Sequence, residues 1–325
     1  MDPGTHPEPP LKLGARFPPR VDVYEVGPRD GLQNELRSVP LKDKLRLVTA
    51  LVAAGERRIE VTSFVSSKWV PQLADADELL ARLERPANVI YSALVPNLKG
   101  LERAKAAGLA EAAVFASATE SHSRKNINKS IAEALHVAGA VAKGALASGM
   151  RVRAYLSVVW GCPYEGVTSI PTVVDLAGRL LDLGVYQLSL GDTIGVGIPT
   201  QTEAILDAVL RRVPVDKLAL HLHDTRGTAL ANALVGLTYG VTTLDASIGG
   251  LGGCPYAPGA AGNLATEDLV NLLHGMGVQT GIDLARLVDA GELAQELIGR
   301  KLPGKYLQAA LGERDRLIAR TRHAR

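Results

Sequence analysis

At 325 residues and 46% hydrophobic the chain can bury a sizeable core, and with aromatics at only 4% Leu, Val, Ile and Ala must fill it. A net charge of +2, from 36 basic and 34 acidic residues, lacks the clustered excess of Lys and Arg that a nucleic-acid surface needs. Gly or charge interrupts every apolar run before it could span a bilayer, and two cysteines, Cys162 and Cys254, are too few for a disulfide framework, so no membrane partner and a cytoplasmic location are expected.

Residues 1–20 form a Pro-rich leader that carries Asp2 and Glu8 and has no apolar stretch of the signal-peptide kind. From Val21 short β-branched runs alternate with helical-period segments, the pattern of a parallel sheet. Strands are predicted at Val21–Val26, Arg58–Thr62, Asn88–Leu94 and Ala112–Ala116, with helices after them at Leu41–Ala54, Asp75–Leu83, Leu98–Ala107 and Ser130–Ser148. The second half continues with strands at Val152–Val158, Tyr186–Leu190, Lys217–Leu222 and Thr242–Ala246. Their helices are placed at Pro171–Leu183, Thr200–Arg211, Thr228–Tyr239 and from about Thr266 onward. Eight such units without an internal linker predict a (β/α)8 TIM barrel over residues 21–300, whose interior small branched side chains would fill in layers. Extra helices are expected at Ile282–Ile298 and Tyr306–Arg320, packed on the barrel or on a partner subunit, with residues 301–325 forming a C-terminal helix and tail. An open doubly wound sheet is the competing fold, but no GxGxxG follows the first strand.

Barrels of this kind keep their chemistry where strands run out into the β/α loops. Those positions are strongly polar here: Arg29 and Asp30 after the first strand, Glu60 near the end of the second, and Asp192 with Thr193 after the sixth. His221 and His223 end the seventh strand, followed by Asp224, and a Gly-rich segment from Ser247 to Gly262 with Asn263 follows the eighth. At i, i+2 on a strand both imidazoles leave the same face, while Leu222 between them faces the helices. Closure of a barrel brings strand eight, and with it the strand-seven pair, near Asp30 on strand one. One carboxylate, two imidazoles and a carbonyl oxygen from Asn263 make a mixed shell for a divalent cation, Mg²⁺ or Mn²⁺ first, Co²⁺ or Zn²⁺ next. The plainer alternative is that these histidines cap a strand and bond to neighbouring backbone.

Arg29 beside Glu60 reads equally as a buried ion pair and as a held guanidinium that stabilises a developing oxyanion. Cys254 lies in Gly249-Gly250-Leu251-Gly252-Gly253-Cys254-Pro255-Tyr256, a run suited to a loop that closes over ligand, where a thiol is either a proton carrier or a small turn residue. A second GCPY run begins at Gly161; the repeat is coincidence or shared turn chemistry.

Three stretches together resemble the 3-hydroxy-3-methylglutaryl-CoA lyase family: Val26-Gly27-Pro28-Arg29-Asp30-Gly31-Leu32-Gln33-Asn34-Glu35, His221-Leu222-His223-Asp224-Thr225-Arg226-Gly227, and the segment from Ser247 to Asn263. Supporting matches run from Ser189 to Gly195 and from Gly161 to Gly166, so the likeness covers roughly Val21 to Arg300. The resemblance implies retro-Claisen cleavage of 3-hydroxy-3-methylglutaryl-CoA into acetyl-CoA and acetoacetate, as in leucine breakdown. It implies a cation held by Asp30, His221, His223 and Asn263, chelating the substrate's tertiary hydroxyl and free carboxylate. Arg29 would meet the enolate with Glu60 supporting it, and Cys254 and Asp192 would move protons. Ser63, Tyr155, Ser189, Arg29 and the glycines Gly249, Gly250, Gly252 and Gly253 are the expected substrate contacts, with a homodimer or larger homo-oligomer as the assembly. Related isopropylmalate and homocitrate synthases carry RDGEQ where this chain has Arg29-Asp30-Gly31-Leu32-Gln33, which favours the lyase. No cysteine follows Cys254, so the redox bridge some family members form between subunits is not expected. Three rivals stand beside the lyase: a lyase for another hydroxyacyl-CoA, a non-haem iron oxygenase built on two His and one Asp, and an inactive barrel that only binds CoA.

Overall fold

The computed structural model describes residues 17–254 and 257–323. Eight parallel strands close on themselves: β1 (Asp22–Glu25), β2 (Arg58–Ser63), β3 (Ile90–Leu94), β4 (Glu111–Ser117), β5 (Arg151–Ser157), β6 (Gln187–Asp192), β7 (Leu218–Leu222) and β8 (Thr243–Ala246). The seam pairs Asp22 with Thr243 through Glu25 with Ala246 on one side of β1, and Glu25 with Ile59 on the other. The expected (β/α)8 barrel is therefore the fold. Around it lie α1 (Leu41–Ala54), α2 (Ala76–Arg82), α3 (Leu98–Ala106), α4 (Glu120–Ile127), α5 (Ile131–Ala147), α6 (Ile170–Leu181), α7 (Pro199–Val209), α8 (Ala229–Thr238) and α9 (Thr266–Gly275).

The helices follow from local chemistry. Ser130 accepts from the Glu133 amide and Glu133 returns a bond to the Ser130 amide, a capping box that starts α5, while Gly55 at φ 108° ends α1 in the left-handed region. The helix α4 has no counterpart in the predicted elements, because Glu120–Ile127 reads ESHSRKNI and offers no apolar period. Beyond the barrel units, α10 (Leu284–Ile298) and α11 (Lys305–His323) pack on this chain's own barrel: the Asp283 amide donates to Ala54 O at 2.7 Å, and Leu287, Leu302 and Leu307 are buried.

The interior differs from expectation. Leu, Val, Ile and Ala fill the layer between strands and helices, as Leu47, Leu51, Ile59 and Val61 do, but polar bonds run across the middle of the barrel. Tyr24 on β1 donates to Glu111 on β4 at 2.7 Å and shares a 2.6 Å bond with Ser92 on β3. Arg153 on β5 grips both carboxylate oxygens of Asp245 on β8, at 2.5 and 3.1 Å, and its Nε donates to Gln187. These strands are not neighbours, so the bonds can only cross the inside. Long polar side chains reach one another there, where small branched residues would have had to fill the same width.

Candidate active site

The loop after β1 is a π-helical turn, Gly27–Gly31, in which the amides of Arg29, Asp30 and Gly31 all converge on Val26 O at 3.1, 2.7 and 3.2 Å. Such turns recur at functional sites because they push side chains out of the regular register. A Cβ on Gly31 would lie 2.8 Å from Leu251 Cγ, so glycine there lets the turn seat against the Gly-rich segment. The turn carries Arg29 and Asp30 onto the C-terminal face of the barrel.

Arg29 is buried, and its Nε donates to Glu60 while Nη1 donates to Asp30. Glu60 sits where the β2–β3 register shifts, a bulge that aims it inward, and its second oxygen accepts from Tyr155 OH at 2.7 Å. The Tyr155 ring lies 5.6 Å from the guanidinium carbon. Burial alone would weaken the Arg29 charge, but Glu60 and then Asp30 outweigh it and hold the guanidinium firmly protonated. Burial likewise opposes ionisation of Asp30, yet Arg29, with the two imidazoles adding to it, keeps this carboxyl well below the usual range.

On β7, His221 and His223 leave the same face as expected, with Nε2 atoms 3.2 Å apart and His221 Nε2 3.8 Å from Asp30 Oδ2. One donor atom from each of Asp30, His221 and His223 lies within 4.8 Å of the others, a grouping able to hold a metal ion. Burial, and then His221, pushes His223 down to about 4, so its imidazole is neutral and has a lone pair to give. Its Nδ1 is buried without a hydrogen-bond partner among the described residues. Asn263 is brought beside His223 by an isolated antiparallel bridge, with Asp224 N bonded to Gly262 O and Leu264 N to Leu222 O. Its Nδ2 donates to Asp30 Oδ2 at 2.9 Å and to Leu251 O at 3.2 Å. The neighbouring Asp224 turns away from the site, accepting from the Ala229 amide and from Lys305.

Asp192 is buried at the end of β6, where its carboxylate accepts from the Val196 and Gly197 amides at 3.0 and 2.9 Å and shapes the following loop. Burial raises this carboxyl against the pull of those amides. Ser63 ends β2 with its hydroxyl accepting from Val65 N, and Ser189 donates to Asp245 at 3.0 Å. Gly249, Gly250 and Gly252 have positive φ, and a Cβ on Gly252 would lie 2.8 Å from Asn263 Nδ2, so close approach is what glycine supplies there. Gly253 offers its carbonyl to Asn34. Gly253–Cys254 pairs antiparallel with Ala257–Ala261, and Gly161–Cys162 with Gly166–Val167, so the Gly-Cys pair of each GCPY run lies in a short antiparallel pairing. The Cys254 side chain, with Pro255 and Tyr256, lies outside the described residues; Cys162 is a buried free thiol accepting from Thr119.

Two groups escaped the sequence reading. Asp245, fully buried, lies 3.2 Å from His221 Nδ1, which leaves His221 Nε2 facing Asp30, and Arg153 fixes Asp245 from below. The available signal was charge inside otherwise apolar strand runs, Asp245 between Leu244 and Ala246 and Arg153 between Val152 and Ala154. Val158, the first residue after β5, holds φ 56°, uncommon for a β-branched residue, with its amide bonded to Thr193 and its carbonyl to Thr168.

The family model described as HMGL-like matches residues 20–294. The hydroxymethylglutaryl-CoA lyase YngG of Bacillus subtilis is 49% identical over 292 residues, 90% of this chain and 98% of that protein. A crystal structure of hydroxymethylglutaryl-CoA lyase from Pseudomonas aeruginosa superposes with a TM-score of 0.90 at 47% identity, covering 92% of this chain and 99% of its own. An Acinetobacter baumannii HMG-CoA lyase, solved with coenzyme A and 3-methylmalate, gives 0.85 at 37% identity over 89% and 95% of the two chains. With the family model spanning the whole barrel, this chain belongs to the HMGL-like family.

Proposed function

We propose that the chain is a divalent-cation-dependent carbon–carbon lyase that cleaves 3-hydroxy-3-methylglutaryl-CoA into acetyl-CoA and acetoacetate. The observation that carries this reading is the convergence of Asp30, His221 and His223 beside the Arg29–Glu60 pair at the mouth of the barrel. Relatives along nine-tenths of the chain bear the name of that activity. The donor set fits a cation: an ionised carboxylate and two imidazoles, that of His223 neutral, converge with one donor atom from each close enough to share an ion.

In the reaction the tertiary hydroxyl loses its proton and becomes the ketone of acetoacetate as the C2–C3 bond breaks. The bonding pair passes into the thioester as an enolate, which takes a proton to become the acetyl methyl. A cation held by Asp30, His221, His223 and the carbonyl oxygen of Asn263 would, when bound, lower the pKa of that hydroxyl. Arg29 supplies a preorganised cationic donor for the enolate oxygen, fixed by Glu60, which Tyr155 fixes in turn. Asp192, with its carboxyl raised by burial, and Cys254 exchange the two protons. The Gly-rich segment with Ser63 and Tyr155 borders the acyl chain, and Ser189 acts beneath them through Asp245.

Mg²⁺ or Mn²⁺ suits the carboxylate and carbonyl donors, and two imidazoles also admit Co²⁺ or Zn²⁺. The enzyme is assigned to the cytoplasm, as a homodimer or larger homo-oligomer, with leucine breakdown as its setting. No helix among the described residues is long and apolar enough to cross a membrane. The test is acetoacetate formation under nitrogen with and without added Mg²⁺ or Mn²⁺. Activity that needs the ion but no oxygen supports the lyase over an oxygenase; activity without any divalent ion overturns the metal reading.

A further inference from the structure

Glu25 is the last residue of β1, and strand alternation sends Tyr24 into the barrel and Glu25 toward the helices. It is fully buried, and among the described residues no Lys, Arg or His pairs with it. Two further buried carboxyls, Glu56 and Glu267, stand near enough to disfavour its charge, so burial is costly unless hydrogen bonds satisfy it. Three do. Oε1 accepts from the amide of Gly27 at 2.6 Å and from that of Ile248 at 3.0 Å, and Oε2 accepts from Thr266 Oγ1 at 2.7 Å.

The partners belong to two separate arms of the site. Gly27 opens the turn that carries Arg29 and Asp30. Ile248 and Thr266 stand at the two ends of the Gly-rich segment that carries Asn263, ends joined by Ser247 N to Leu264 O at 2.9 Å and Thr266 N to Ser247 O at 3.0 Å. We propose that Glu25 is a positioning residue, a buried clasp that sets Asp30 and Asn263 at the spacing a cation requires. The assignment rests on the metal reading above. Gly27 supports it: a Cβ there would lie 2.6 Å from Glu25 Oε1, so glycine allows the turn to close on the carboxyl. Burial brings this carboxyl to about 7, so both its neutral and charged forms are accessible near neutrality. Glutamine reproduces the neutral form: its carbonyl can accept both amides and its NH₂ can donate to the Thr266 oxygen.

The experiment compares the parent with Glu25→Leu, Glu25→Gln and Thr266→Val in two measurements on folded protein. Mn²⁺ titration by water-proton relaxation should show Glu25→Leu weakened ~10–100-fold, the usual effect of losing a group that orients a ligand, with Glu25→Gln within about 3-fold of the parent. Hydrogen-exchange mass spectrometry without metal should show the peptides over 27–31 and 247–251 opening together in Glu25→Leu, by about 5- to 10-fold, the factor one net hydrogen bond represents. Unchanged Mn²⁺ affinity in folded Glu25→Leu overturns the proposal, as does faster exchange in only one arm. Should that variant fail to fold, Thr266→Val decides: faster exchange in both arms supports the clasp, and none refutes it. A parent that binds no Mn²⁺ would sink the metal reading, and the paired exchange would still judge the clasp.

Discussion

Asp245→Asn is the sharpest perturbation of the polar lattice beneath the site. Asp245 bonds Arg153 through both oxygens, accepts from Ser189, and lies 3.2 Å from His221 Nδ1, all in full burial. An amide can present only one oxygen, so one guanidinium arm of Arg153 must face an NH₂. Arg153 keeps Gln187 and the ring faces of Tyr24 and Tyr155, at 4.0 and 4.8 Å, but loses its counter-charge. Breaking a buried pair in this way costs about 3–5 kcal/mol, since no solvent replaces the lost partner. For a domain of this size that lowers the melting temperature by roughly 5–10 °C. Mn²⁺ affinity should fall ~10–100-fold, because a neutral amide whose single oxygen is shared with Arg153 and Ser189 holds His221 Nδ1, and so Nε2 toward Asp30, less firmly than the carboxylate does. Circular-dichroism melts and Mn²⁺ calorimetry on the same preparation read both effects. A variant that melts with the parent refutes the buried-charge argument; one that melts early but binds Mn²⁺ normally refutes the orienting role.

Arg29→Gln should fold and bind metal, yet lose at least ~100-fold in kcat, the scale of one preorganised oxyanion donor; a loss confined to KM would make Arg29 a substrate anchor. Cys254→Ala should lower kcat by ~10²–10⁴-fold with little change in substrate affinity, and a variant keeping half its kcat ends the proton-carrying role. Glu267 is raised to about 8 and Glu25 to about 7, both chiefly by burial, so the folded protein holds protons that the unfolded chain has released. Their contribution to stability is complete below the unfolded value of 4.5 and is lost as pH rises through 7 to 8. His223, held near 4, has the opposite slope only below its unfolded value of 6.5, so melting temperature should fall from pH 6.5 to 8 and Glu267→Gln should flatten that fall. A parent whose melting temperature rises over that interval contradicts the assignment.

The barrel was legible because each strand run ends in a turn signal and each barrel helix except α4 has an apolar period. Gly27–Gly31 was readable as a loop but not as a π turn, since its geometry depends on packing against Leu251. The same-face relation of His221 and His223 needs only the strand period, whereas the approach of Asn263 to His223 depends on backbone pairing between residues forty positions apart. Cross-barrel bonds such as Arg153 to Asp245 and Tyr155 to Glu60 are invisible locally, because each strand's own residues do not say which partner three strands away its polar side chains will meet. For the same reason composition misjudged the interior: a count of Leu and Val says how much core exists, not which side of the strands it occupies.

Metal-dependent carbon–carbon cleavage at the mouth of this barrel runs through an enolate that must take a proton from exchangeable groups. Mass spectrometry of products formed in D₂O from a small panel of hydroxyacyl-CoA esters, with Mg²⁺ or Mn²⁺ present, tests it most directly. The expected products are acetoacetate and acetyl-CoA carrying one solvent-derived deuterium in its methyl group, from 3-hydroxy-3-methylglutaryl-CoA and poorly from the others. Intact ester with every metal, an oxygenated product, or acetyl-CoA without solvent deuterium would contradict it.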